Sequence, residues 1–329
     1  MIRKSILTLV VCLLATSAMA AVDGAWTSSL DQKRSDRIYL QLTQSPHSNM
    51  GMTMPISEIA GLSIAQINAT VMTPVTFELR REAGNVSFEG TFRNGKGAGQ
   101  FTFAPNANYL ASVRALGVDT ATMQKRRKHD WSEEQLLFAM AIHDVSTSFI
   151  KSMQAEGYRE TLEKYMEMRI FDITPEYIRE MRSLGFKDIS TDELVATRIH
   201  DITPQFVRDM RAAGWNLSLD DLQAASIHGA TPKFAAEMKA LGYGNLDFDD
   251  LVAFRIHDVT AGFIGELRTL GYDKVTADDL VAMRIHDVTP QFIREVKAAG
   301  YSNVPIEKLV DMRIHDITPE YLRKMRGNG

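Results

Sequence analysis

The hydrophobic positions of the chain follow two different periods. From Gly24 to Phe103 they alternate: Ile38, Leu40 and Leu42 with Tyr39, Gln41 and Thr43, and Val75, Phe77 and Leu79 with Thr76, Glu78 and Arg80. Alternation places one apolar face on each strand of a half-buried sheet. Val86, Phe88 and Phe92 continue it, and Asn94-Gly95 predicts a tight hairpin, because both central positions of a two-residue turn need a positive φ. Gly97, Gly99, Phe101 and Phe103 resume the pattern beyond the turn. About five or six strands are expected, in an antiparallel meander forming a small sheet or a partly closed barrel.

After Pro105 the period becomes helical, and a segment of 28 or 29 residues recurs to the end of the chain. Its marker appears as Ile142-His143-Asp144, Ile170-Phe171-Asp172, Ile199-His200-Asp201, Ile227-His228-Gly229, Ile256-His257-Asp258, Ile285-His286-Asp287 and Ile314-His315-Asp316. Near-constant spacing over seven markers identifies a repeat architecture. An earlier half-unit, Tyr109-Leu110 to Gly117, matches the second helix of a repeat.

Residues 190–217 show how one repeat is built. Ser190 and Glu193 have the spacing of a capping box, so a first helix begins there. Leu194, Val195 and Ile199 are its expected apolar stripe, and His200 falls in the last turn, near unpaired carbonyls and the negative end of the dipole. Thr203-Pro204 then starts a second helix, with threonine as cap and proline where a missing amide costs nothing. Ile202 and Val207 are placed as a hydrophobic staple. Gly214 is the expected left-handed terminator, with Trp215 folding back on Met210. A single hairpin of this size buries too little apolar surface to offset its ordering entropy, so hairpins must stack on one another.

The predicted fold is therefore α+β: a β-rich domain over 21–104, a half-repeat and basic connection over 105–130, and a solenoid of seven helical hairpins over 131–329. The first twenty residues read as a secretory signal, since Arg3 and Lys4 precede an apolar run from Ile6 to Leu14 and Ala18-Met19-Ala20 offers a cleavage pattern. That run is shorter than the roughly 20 residues that cross a bilayer. A periplasmic or secreted location without a transmembrane segment follows. Cys12, the only cysteine, lies inside the signal, so the mature chain needs packing rather than disulfides for stability.

With 37 Lys and Arg against 41 Asp and Glu, the chain offers no basic field for phosphate backbones, and nucleic acid is not an expected partner. The basic cluster Lys125 to His129 is too short to alter that.

Three sets of residues carry candidate chemistry. The six repeated histidines, His143, His200, His228, His257, His286 and His315, suggest a metal or catalytic site, but Phe171 occupies the same position in the second repeat. Neighbouring repeats also stand about a helix diameter apart, whereas zinc ligands converge on one point at about 2 Å; capping and packing are preferred. Arg169, Arg198, Arg255, Arg284 and Arg313 each precede Asp172, Asp201, Asp258, Asp287 and Asp316 by three residues, while the fourth repeat has Ser226 and Gly229. Joint loss suggests that each arginine depends on a nearby aspartate, within its repeat or in the adjacent one, as a structural ladder. Repeat one, with Ala141 and Asp144, departs from this rule. Finally, His47, Met50, Met52 and Met54 have the donors of a Cu(I) site, although an alternating methionine stripe more often fills one buried strand face.

No nucleophile elbow, phosphate loop or dinucleotide fingerprint is present, and no cofactor or catalytic residue is assigned. The motif L-V-A-x-R-I-H-D-[IV]-T-P-x-[FY], closed by glycine and an aromatic residue, resembles an uncharacterised helical-hairpin repeat family of bacterial exported and membrane-associated proteins. Some of these look like fusions to sensor-type metallopeptidases. The resemblance covers about residues 130–329, implies interaction or sensing, and excludes the peptidase part, whose zinc-binding helix is absent here. The expectation is a non-enzymatic scaffold that binds a protein partner; the alternative is a small-ligand or copper carrier using the β domain.

Overall fold

The computed structural model describes residues 22–31, 34–45, 48–120 and 132–327. The signal segment with Cys12, His47 and the basic cluster Lys125 to His129 lie outside the described residues. Two compact units divide the chain, one ending at Ile170 and the other beginning at Phe171.

The first unit contains six antiparallel strands: β1 (Val22–Leu30), β2 (Arg37–Ser45), β3 (Ser48–Pro55), β4 (Thr73–Arg81), β5 (Gly84–Arg93) and β6 (Lys96–Pro105). Their order is β3-β2-β1-β6-β5-β4, so two three-stranded meanders are joined by pairing of β1 with β6. This corrects the single meander expected from the sequence. The connection between the edge strands β3 and β4 is not a tight turn but carries a 3-10 turn (Ile56–Glu58) and the short helix α1 (Ile64–Ile67). The Asn94-Gly95 hairpin forms as expected, with φ of 50° and 77°.

Alternation puts Ile38, Leu40, Leu42, Phe77, Phe88 and Phe101 on the buried face. Trp26 of β1 sits among them, with its ring centroid 5.2 Å from that of Phe77, which stacks on Phe88 at 4.6 Å. The indole reaches across β6 and needs a gap in β5, the strand beyond it. Gly90 supplies it, since a Cβ there would lie 2.7 Å from the Trp26 ring.

Two helices complete the core. The half-repeat forms α2 (Tyr109–Ala115), and the first helix of repeat one is α3 (Glu133–Ile142). From Leu136 to Ile142 every residue of α3 is buried, which is the signature of a helix covered all round. It packs on β1, β4, β5 and β6, with Phe138 stacked 5.5 Å from Phe101 and edge-on to Phe103 at 5.3 Å. The compact unit thus reaches past residue 104, because the sheet's apolar face is closed by a helix of the repeat series. The unit continues with α4 (Thr147–Ala155) and α5 (Leu162–Ile170).

In the second unit, α6 (Pro175–Ser183) is followed by five hairpins: α7 and α8 (Thr191–Ile199, Pro204–Ala212), α9 and α10 (Leu219–His228, Pro232–Ala240), α11 and α12 (Phe248–Ile256, Ala261–Thr269), α13 and α14 (Ala277–Ile285, Pro290–Ala298), and α15 and α16 (Ile306–Ile314, Pro319–Gly327). First helices pack beside first helices, and second beside second.

The expected end devices are present. Ser190 and Glu193 form a capping box, and Thr203 accepts from the Phe206 amide with Pro204 in the first turn. Trp215 N–H donates to Met210 O at 3.0 Å and Gly214 N–H to Arg211 O at 2.9 Å, with Gly214 at φ 106°. These bonds make the Schellman closure. Leu194, Ile202 and Val207 are buried, but Ile199 is 54% exposed and does not belong to the core stripe.

Candidate functional site

The marker aspartates owe their place to backbone geometry. Asp144, Asp172, Asp201, Asp258, Asp287 and Asp316 all have φ between 51° and 55°, and Gly229 occupies the equivalent place at 71°. Each ends a first helix in the left-handed conformation, where glycine is the easiest residue and aspartate is tolerated.

The recurring arginines reach back one repeat. Arg169 Nε donates to His143 O and its Nη2 to Asp144 Oδ2, both at 3.0 Å. Arg198 repeats the arrangement on Phe171 O at 2.8 Å and Asp172 at 3.0 Å, Arg284 on His257 O at 3.1 Å and Asp258 at 2.5 Å, and Arg313 on His286 O and Asp287. Each guanidinium also covers the aromatic ring that starts the preceding repeat's second helix: Arg169 over Phe149, Arg198 over Tyr177, Arg284 over Phe263 and Arg313 over Phe292, at 4.9 to 5.2 Å. A planar cation that stacks and donates in two directions requires arginine rather than lysine.

Of the two alternatives for the arginine's aspartate, the adjacent repeat is the one the structure shows. Ser226 and Gly229 are not two halves of one lost pair, because they belong to successive joints. Ser226 donates to His200 O at 2.5 Å, and Asp201 has no ion pair among the described residues. At the next joint Arg255 keeps its ring, Phe234, and its carbonyl, His228 O at 3.3 Å, but meets a glycine. Repeat one also ceases to be an exception. Ala141 is buried in the core, and Asp144 receives Arg169 together with Arg81 of β4 at 3.4 Å.

His200, His257, His286 and His315 are C-cap residues, and their rings make no hydrogen bond among the described residues. At the joints the position contributes its backbone carbonyl, which Phe171 provides equally. Burial first, then the Arg169 charge, lowers the proton affinity of His143 below the ordinary 6.5. Among the described residues no group of three or more His, Cys, Asp or Glu side chains gathers at one point.

A second joint links the other helices and escaped the sequence reading. Gln154 donates to Leu116 O at 3.0 Å, while Arg211 donates to Leu184 O and Arg268 to Leu241 O, always from the eighth residue after the cap to the carbonyl beside the previous terminator. Its signal in the sequence is diluted by Lys239 and Lys297 at the same position. The half-repeat obeys the same plan, since Tyr109 Oη donates to Val145 O as Tyr177 Oη does to Ile202 O.

On β3, Met54 is buried and Met50 and Met52 are half-buried, facing Ile38, Leu42 and Leu40 across the β2 pairing. The methionine stripe therefore lies on the apolar face of an edge strand.

No family model, curated protein or solved structure matches the chain. Its conspicuous surface feature is one the sequence reading assigned to the core: Ile199, Ile227, Ile256, Ile285 and Ile314 are 51 to 56% exposed, one at the end of each first helix of the second unit.

Proposed function

We propose that the protein is an exported, non-enzymatic scaffold whose helical repeats bind a protein partner. The observation that carries this reading is a division of labour among the recurring residues. Most of the recurring arginines, aspartates and ring-starting aromatics are occupied in joints between repeats, so they hold the architecture, and they form no convergent cluster among the described residues. What recurs without an internal partner is an exposed apolar residue, and regularly exposed apolar side chains mark interaction surfaces. Export is supported by the leading segment of the sequence, and no described helix is long and apolar enough to cross a membrane. Kinship with the bacterial exported repeat family belongs to the same proposal and rests on the motif alone.

A small-ligand carrier is the second reading, and the packing of the sheet weighs against it: Ile38, Leu40, Phe77 and Phe88 are at most 1% exposed, and α3 packs on β1, β4, β5 and β6. The copper variant keeps Met50 and Met52, and titration of the chain with Cu(I) tests it.

Capture from envelope extract with the full chain and with residues 22–170 tests the scaffold. A partner held by the full chain and lost by the shorter one is expected; equal capture by both contradicts assignment to the repeats.

A further inference from the structure

The first helices of the second unit carry a recurring surface, varied in repeat four where Gln223 replaces the valine. Ile199, Ile227, Ile256, Ile285 and Ile314 stand four residues after Val195, Gln223, Val252, Val281 and Val310, which places each pair on one helical face. The valines are half-buried and the isoleucines half-exposed. Three residues before the valine position, on the same face, are Asp220, Asp249, Asp278 and Glu307, all exposed. Asp220, Asp249 and Asp278 form no ion pair among the described residues. Negative charge accumulates beside them: Asp250 is pushed above the usual carboxylate range by burial first, then by Asp247, Asp278 and Asp249.

Repeat one shows what this face is for. Ile142 and Phe138 occupy the positions of Ile199 and Val195 in the repeat register, and there the face is covered: Ile142 is 5% exposed and Phe138 stacks on Phe101 of the sheet. The carboxylate position in that repeat is Gln135, which is uncharged. The face of a first helix thus accepts an apolar partner where the chain provides one, and carries a carboxylate where it does not.

We infer that the first-helix face of repeats three to seven is the docking surface of the scaffold, and that its occupant is a segment of another protein bearing apolar side chains interleaved with lysine or arginine. The assignment rests on the scaffold reading and specifies its partner. Apolar side chains of the segment cover the isoleucine column, while its cations meet the carboxylate column, where steering and register depend on charge.

The test uses the full chain and a synthetic peptide of alternating lysine and leucine, with its glutamate–leucine counterpart as control. Anisotropy titration is expected to give binding of the first peptide only, weakening as salt rises. The triple variant Ile227→Ser, Ile256→Ser, Ile285→Ser should lose affinity by about tenfold or more, on the scale of central interface residues. Its melting temperature should stay near that of the unaltered chain, since the replaced side chains are half-exposed. Asp249→Asn with Asp278→Asn should flatten the salt dependence. Equal binding of both peptides, undiminished binding by the triple variant, or a dimer of the unaltered chain that the serine variant dissociates each overturns the assignment, the last by giving the face to a second copy. If the triple variant still captures the extract partner that the unaltered chain captures, the scaffold reading stands and only this face is wrong.

Discussion

An aspartate at positive φ carries a conformational cost, of order 1 kcal/mol for a residue with a Cβ, that glycine would avoid. Asp287 offsets that cost through Arg313, whereas Asp201 has no ion pair among the described residues. Asp201→Gly is therefore expected to leave stability unchanged or raise it, and Asp287→Gly to be the less stable of the two variants by about 0.5–1 kcal/mol, the range of a partly exposed pair. Urea denaturation of the two variants measures the difference, and identical shifts would show that the pairing contributes nothing. His143 gives a prediction with a pH axis. Its folded proton affinity is lowered, so the unfolded chain binds more protons just below pH 6.5 and stability falls as pH drops from there through the lowered value. His143→Phe, which copies Phe171, should remove that part of the slope while leaving the carbonyl for Arg169. Melting temperatures at about pH 7.5 and pH 5.5 compare the two chains; an unchanged slope would locate the titrating group elsewhere. Caps and terminators at this scale were legible because they depend on neighbours in sequence. The direction of each arginine was not, since its partners lie 25 to 27 residues back, and the fourth repeat, losing members of two adjacent joints, left the same-repeat and adjacent-repeat alternatives open.

Among the first-helix joints described, that between repeats three and four is the one without a guanidinium. Ser226 makes a single hydrogen bond where Arg198, Arg284 and Arg313 each make two and cover a ring. All the receiving groups remain in repeat three: His200 O, Asp201 and the ring of Phe206. Ser226→Arg should restore the missing contacts and raise stability by about 0.5–1.5 kcal/mol, combining a partly exposed ion pair with a cation over a ring. Thermal unfolding measures the gain, and hydrogen exchange should show it as added protection in α7 and α9. A variant no more stable than the parent would mean that packing, not the guanidinium, sets the strength of the joints. Helical period predicted α3 as one repeat helix among seven, and only its unusually apolar run, Leu136 to Ile142, hinted that it is enclosed. Conversely, Ile199 sits at the angular edge of the stripe, and hydrophobicity alone assigned it to the core although no neighbouring element covers it. A strand's pattern fixes its faces but not its neighbours, which is why the alternation was legible and the pairing of β1 with β6 was not.

For the molecule as a whole, the joints imply that repeats are interchangeable in register. Removing residues 258–286 deletes α12 and α13 and fuses His257 to Asp287. Every device at the new junction survives. The left-handed aspartate still follows a C-cap histidine, Thr289 still caps α14, and Arg313 keeps Phe292 and Asp287 while taking the carbonyl of His257 in place of His286. The shortened chain should therefore remain helical by circular dichroism, losing signal in proportion to the two helices, and unfold cooperatively with a smaller dependence on denaturant, because less surface is exposed. Removing half that length instead would join a first helix to another first helix and break both kinds of joint, and should abolish cooperative unfolding of the repeats. If the whole-repeat deletion collapses as completely as the half-repeat one, contacts beyond nearest neighbours must hold the repeats together. The arginine joints would then be accessories to a core whose extent exceeds one period.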